Sequence, residues 1–205
     1  MKKDKRTSYM QSRFPRIPDD YYPTLDTRCV DGLLTHFHLW NAPIIDMCSP
    51  SGSRIVDYLN SRGYDAHGVG DAFATTLYTG GGRALPFGVT NPPYKRSLVD
   101  PIVKRQIERV QKGELKLCAF LLRTAFDHAM TRQDIFANHP HYWGQIKLLF
   151  RPWWVESREH VPFHHHVWHV WINEPRYTPF PAVAYYDVPY DPQYVADRKS
   201  KKKRK

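Results

Sequence analysis

Two adjacent prolines in mid-chain, Pro92 and Pro93, restrict the fold more than any other feature. Proline lacks an N–H, holds φ near one value and pushes the residue before it into extended geometry. An apolar run, Phe87-Gly88-Val89-Thr90, leads into the pair, and a polar turn, Lys95-Arg96-Ser97, follows it. A strand therefore ends at Asn91, and a helix begins only after Tyr94. The same alternation recurs on both sides. Pro43-Ile44-Ile45-Asp46-Met47 predicts a short buried strand, residues 48–53 a small-residue turn, and Ile55, Val56 and Leu59 one helix face stopped by Gly63. Residues 64–71 predict a second strand ending in Asp71. Beyond the prolines, Val99, Ile102, Val103, Ile107 and Val110 line a helix that ends near Lys112 and Gly113, and residues 115–122 form a buried strand. Strands alternating with helices imply an α/β fold.

The flanking regions extend this pattern. Leu25, Cys29, Leu33 and His36 predict a helix over about residues 26–36, after a lead containing Tyr21-Tyr22-Pro23-Thr24. Thr75-Thr76-Leu77-Tyr78 is a further strand candidate, and Gly80-Gly81-Gly82 reads as a flexible loop. Residues 125–138 are polar and amphipathic, with Phe126, Met130, Ile135 and Phe136. The carboxyl third predicts strands over residues 145–151 and 165–172, joined by a long loop. Alternation in the second puts His165, Val167, His169 and Trp171 on one face and His166, Trp168, Val170 and Ile172 on the other. From Asn173 onward, Pro and Tyr recur, as in an extended segment wrapping a body.

At 205 residues the chain suits one well-cored domain, and 41% apolar with 14% aromatic residues excludes wholesale disorder. No apolar run reaches the ~18 residues of a membrane helix, and the charged amino terminus lacks a signal peptide's apolar stretch. Cys29, Cys48 and Cys118 are scattered and odd in number, which reads as thiols in a reducing cytoplasm. The net charge of +10 resides wholly in two ends. Lys2, Lys3, Lys5 and Arg6 against Asp4 leave +3, and the seven Lys and Arg residues of 198–205 add +7. The body is formally neutral. Two basic arms suit a polyanion such as DNA, with a solubilising tail or an acidic protein partner as the alternative.

Asn91-Pro92-Pro93-Tyr94 has its own chemistry. The stiff bracket presents an amide oxygen and bare carbonyls, acceptors for a planar –NH₂ group, while Tyr94 offers a ring on which a base stacks for ~1–3 kcal/mol. Acceptors beside a stacking ring suit a flipped-out base. The tetrad resembles the catalytic loop of the S-adenosylmethionine-dependent amino-methyltransferases, which include adenine-N6 DNA methyltransferases and protein-glutamine methyltransferases. The resemblance runs from about Tyr21 to Ile172, keeps the family's order of elements, and is nearest to small phage or prophage adenine methyltransferases. It extends to a late antiparallel pair rich in Trp.

That resemblance implies a Rossmann-like class I methyltransferase fold: a mostly parallel seven-stranded sheet, one strand antiparallel, helices on both faces. It implies S-adenosylmethionine as cofactor and a flipped adenine of DNA as substrate. Asn91 and the Pro92 carbonyl would hold the amine, with Pro93 stiffening the loop and Tyr94 stacking on the base. Tyr22, Pro23, Thr24, Asp46, Cys48, Ser49, Gly52 and Asp71 would bind the cofactor. Asp71, nineteen residues beyond Gly52, has the spacing of an acid that takes ribose hydroxyls. Two departures stand out. Pro50 replaces a usual glycine of the cofactor turn, and no acid occurs between Asp71 and Asp100.

Lys95, Arg96, Arg123, Arg151, Lys201, Lys202 and Lys203 are the candidate nucleic-acid contacts. The loop Arg151-Pro152-Trp153-Trp154-Val155-Glu156-Ser157-Arg158 interleaves aromatics with arginines, as DNA-contacting surfaces do and as a core-closing Trp pair also would. His164, His165, His166 and His169 lack a Cys or carboxylate to complete a tetrahedral set, so no metal site is expected. The expected organisation is an arm over residues 1–19, a methyltransferase domain over 20–192 and a basic tail over 193–205. Methyl transfer to adenine N6 in DNA, in a bacterial cytoplasm, is the expected activity. The alternatives are a non-catalytic nucleic-acid-binding module, or transfer to protein glutamine or RNA adenine.

Overall fold

A computed structural model describes residues 22–49, 53–74, 84–137, 139–154, 162–175 and 181–187. Seven strands form one sheet in the order β2-β1-β3-β4-β6-β5-β7. They are β1 (Ile44–Asp46), β2 (Ala66–Gly68), β3 (Phe87–Thr90), β4 (Leu117–Arg123), β5 (Tyr142–Leu148), β6 (His166–Ile172) and β7 (Ala182–Tyr186). β6 runs antiparallel to both neighbours, β4 and β5, while every other pairing is parallel. The expected mostly parallel sheet with a single reversed strand is therefore observed.

Helices cover both faces. α1 (Arg28–His36) and α2 (Arg54–Ser61) bury Cys29, Val30, Leu33, Ile55, Val56 and Leu59 against one face, with Ile44, Val89, Leu121 and Trp168. α3 (Arg96–Gln111) and α4 (Gln133–Phe136) pack Val99, Val103, Ile107, Ile135 and Phe136 against the other, with Ile45, Phe120 and Trp171. A strand buried on both faces reads as an unbroken apolar run. β4 is that strand, and six of its seven residues are buried. α2 ends where Gly63 takes a φ of 83°, a left-handed conformation that costs glycine nothing.

Three boundaries differ from the sequence expectation. β5 begins and ends three residues before the predicted 145–151, because Tyr142 pairs with Trp171 and a register shift at Gly144 absorbs the offset. Gly144 has a φ of 144°, and a Cβ there would collide with the backbone of Ala182, so β7 can approach only a glycine. β7 itself is the second difference. The Pro- and Tyr-rich segment does not merely wrap the body but adds an edge strand to it. The third is residues 124–132, which form two 3₁₀ turns, Thr124–His128 and Met130–Arg132, before α4. The strand candidate at 75–78, the glycines at 80–82 and both basic arms lie outside the described residues. Among described residues no helix is long and apolar enough to cross a membrane.

β6 carries its two faces as the alternation implies, but as an interior strand it buries both. His169 lies inside an aromatic nest, 4.9 Å from the Phe136 ring and 2.8 Å from the Tyr142 hydroxyl through Nδ1. Burial lowers its pKa from 6.5 to about 3, with His128 adding to the effect. A depressed folded value means that stability is present above the unfolded value of 6.5 and drains away as pH falls toward 3. Between pH 7 and pH 5 His169 should therefore cost the fold about 2 kcal/mol. Urea denaturation at both pH values should show that His169→Gln, which can still meet the Tyr142 hydroxyl, loses less stability over this interval than the parent by about that amount.

Candidate active site at the carboxyl edge of the sheet

The strand order reverses at β1, with β2 on one side and β3 on the other. Crevices at the carboxyl ends of such strands are where open α/β sheets take ligands. Asp46, the last residue of β1, is buried there. Its Oδ2 accepts from the Ser53 hydroxyl at 2.6 Å, and its Oδ1 accepts from the Thr90 hydroxyl at 2.6 Å and the Cys48 amide at 3.3 Å. Ser53 is the N-cap of α2, and its Oγ accepts from the amides of Ile55 and Val56. Thr90 is the last residue of β3, directly before the tetrad. One carboxylate thus joins the turn after β1, the start of α2 and the end of β3. Burial raises the Asp46 pKa, with the Ser53, Thr90 and Cys48 hydrogen bonds opposing it.

The tetrad is held from two further directions. Asn91 Nδ2 donates to the Tyr22 carbonyl at 2.7 Å, and Asn91 Oδ1 accepts from the Tyr94 hydroxyl at 2.7 Å. The same hydroxyl lies 3.0 Å from the Leu121 carbonyl of β4. Burial pushes the Tyr94 hydroxyl well above its ordinary pKa, so it stays protonated and donates. Around the ring stand Arg123, its guanidinium 5.5 Å from the centroid, then His166 at 5.7 Å and Trp154 at 6.3 Å. Burial, assisted by Arg123, lowers the His166 pKa to about 3, which leaves a neutral imidazole against Tyr94.

The structure gathers some predicted residues and separates others. Tyr22, 69 positions away in sequence, meets Asn91 directly. Thr24 is buried and Pro23 exposed, with the Leu25 amide closing a tight turn onto the Pro23 carbonyl. Ser49 is buried, and its carbonyl accepts from Gly70, which brings the turns after β1 and β2 together. Asp71 then projects into solvent, with Oδ1 bound to the Phe73 amide at 2.8 Å. Cys48 is a poor nucleophile, because burial raises its thiol to about 12. Arg151 donates to His165 at 3.0 Å, at the same mouth as Trp154. Lys95 is exposed at the N-cap of α3. Arg96 reaches Thr131 at 3.1 Å and Asp100 at 3.5 Å. Pro50, Gly52, Lys201, Lys202 and Lys203 lie outside the described residues.

Sequence reasoning missed Ser53, Thr90, His166 and Trp154 as members of the site. Ser53 carried a usable signal, since a Ser just before an apolar helix face is an N-cap. Thr90 carried none, because a β-branched residue at a strand end is ordinary. Trp154 is placed from afar: the Trp153 amide donates to Asp26 at 3.3 Å, and Asp26 also receives both Arg28 bonds at 2.7 Å. A cavity of about 390 Å³ lies elsewhere, at the amino-terminal end of the strands, lined by Trp40, Leu85, Phe87 and Lys116. It shares no residue with the tetrad.

Fold and topology define the class I methyltransferase architecture, a Rossmann-like α/β sheet. A solved structure from Listeria monocytogenes, a protein whose own assignment as a class I S-adenosylmethionine-dependent methyltransferase is provisional, resembles this chain with a TM-score of 0.52 over 91% of this chain and 72% of that one. The two share 13% sequence identity, so the likeness is one of fold. No protein-family model and no curated protein matches the sequence.

Replacing Asp46 tests its bracing role. Asp46→Ala strands the Ser53 and Thr90 hydroxyls and should cost about 3 kcal/mol in urea unfolding. Asp46→Asn should cost about 1 kcal/mol, because Thr90 can rotate to accept from the new amide while Ser53, already accepting twice, keeps an oxygen to donate to. Equal losses in the two variants would remove Asp46 from this role.

Proposed function

We propose that the chain transfers a methyl group from S-adenosylmethionine to the exocyclic amine of adenine in DNA. The observation that carries this reading is the placement of Asn91-Pro92-Pro93-Tyr94 directly beyond β3 at the strand-order reversal, with the Asn91 side chain oriented at both ends. An amide carbonyl oxygen has two acceptor sites. Tyr94 uses one of those on Asn91 Oδ1, and the other remains for one hydrogen of an incoming amine. The Pro92 carbonyl is the natural acceptor for the second. Held by both hydrogens, the amine turns its lone pair out of the base plane. A ring that already receives a planar guanidinium suits a planar base.

The residues present also fit the cofactor. Asp71 is exposed at the end of β2 and uses only one carboxylate oxygen for its own turn, which leaves the other for a ribose hydroxyl. Ser49 and the Tyr22–Thr24 segment flank the same edge. Asp46, with both oxygens engaged, serves by positioning the loops and does not bind the ligand itself. When bound, S-adenosylmethionine supplies a methyl on a cationic sulfur, which departs as a neutral thioether as the amine nitrogen bonds to carbon. The surplus proton on nitrogen passes to water, since Asp46 is shut in and Cys48 is not an acid or base at neutral pH. Arg123, Arg151 and the basic arms meet phosphates. Positioning and charge supply the rate, with no covalent nucleophile.

The test incubates the protein with unmethylated DNA and S-adenosylmethionine, digests the DNA and measures N6-methyladenine by mass spectrometry. The parent should yield product, and an Asn91→Ala, Tyr94→Ala double variant should lose at least about a hundredfold in rate. Absence of product, together with absence of calorimetric S-adenosylmethionine binding, would overturn the proposal in favour of a nucleic-acid-binding module.

A further inference from the structure

Met130 is 89% exposed, far beyond any other large apolar side chain among the described residues. Single exposed hydrophobics are ordinary on protein surfaces. This one differs in how firmly its backbone is held and in where it stands. It opens the second 3₁₀ turn, which the Arg132 amide closes onto the Ala129 carbonyl at 2.9 Å. Arg132 is anchored to Asp100 at 2.8 Å and to the Phe126 carbonyl at 2.7 Å, with its guanidinium 3.7 Å from the Phe126 ring centroid. Phe126 on one side and Ile135 and Phe136 on the other are buried. A rigid base therefore carries an apolar side chain into solvent. Its place is the rim of the candidate site. The segment continues from Arg123, which lies over Tyr94, and Thr131 accepts from Arg96, two residues beyond Tyr94.

We infer that Met130 is the wedge that enters the base stack of duplex DNA when the target adenine leaves it. The inference rests on the proposed reaction. Removing a base from a duplex leaves its neighbours unstacked, and apolar side chains, methionine among them, fill such gaps in DNA-bending and base-extruding proteins. A methionine is slim, unbranched and polarisable, which suits insertion between flat bases. The charges around it are arranged to tolerate phosphates. Asp100 is neutralised by Arg132 and Arg96, Asp134 by Lys104 at 2.6 Å, and Asp127 lies 3.4 Å from His128. Met130 is thus a positioning residue, acting on the stack and not on the reacting atoms.

The experiment compares methylation of one unmethylated genomic DNA preparation, as duplex and after heat denaturation, by the parent, Met130→Ala and Met130→Leu. Only the duplex demands extraction of a stacked base. Met130→Ala should lower kcat/KM on duplex about tenfold and on single strands less than about twofold, with an unchanged melting temperature. Met130→Leu should restore the duplex rate. Equal rates for parent and Met130→Ala on duplex, an equal fall on both substrates, or a parent that modifies single strands alone would overturn the wedge while leaving the proposed reaction standing. A parent that methylates neither form would overturn the reaction and the wedge with it.

Discussion

The Asp46 carboxylate is the interaction on which the candidate site depends. Three segments that diverge from the sheet, the turn after β1, the first turn of α2 and the end of β3, would each be free to settle independently without it. Hydrogen bonds from Ser53, Thr90 and the Cys48 amide bring all three to one buried anion. A buried carboxylate is costly unless its lone pairs are met. Here three donors meet it, and the cost becomes specificity: the arrangement that satisfies Asp46 is also the one that aims Asn91 outward from β3.

From that anchor the site is assembled in steps. Thr90 sets where β3 stops, the prolines make the next residues stiff, and Asn91 is then clasped by the Tyr22 carbonyl and the Tyr94 hydroxyl. Pre-oriented acceptors matter because positioning is most of what such a transfer asks of a protein. The ring of Tyr94 is fixed in turn by β4 and β6, through the Leu121 carbonyl, Arg123 and His166. The reversed strand β6 is thus more than sheet filler. It brings a neutral imidazole to the tetrad at one end, and near its middle it closes an aromatic nest around His169.

The basic character of the protein is distributed in a related way. The body is neutral by formal charge, and its cations near the site are mostly engaged: Arg96 with Asp100, Arg132 with Asp100, Arg151 with His165. Unspecific attraction to a polyanion falls to the two ends of the chain, whereas the folded edge presents a few placed contacts beside Tyr94 and Met130. Attraction and orientation are separate jobs in nucleic-acid binding, and this chain divides them between different segments.

The sequence by itself determined the alternation of strands and helices, the buried central strand β4 and the stop at Pro92-Pro93, because apolar periodicity and proline geometry are local properties. It also determined the tetrad, whose acceptors and ring are contiguous. Tertiary structure alone decided the rest. Nothing local says that Tyr22 will meet Asn91, that Ser53 and Thr90 will share one carboxylate, or that Trp154 will reach Tyr94 by way of Asp26. Nor does it show that Gly144 will admit β7 as an edge strand. Those facts are pairings between distant segments, and a side chain's partner is set by where the sheet places both, a quantity that no single stretch of residues contains.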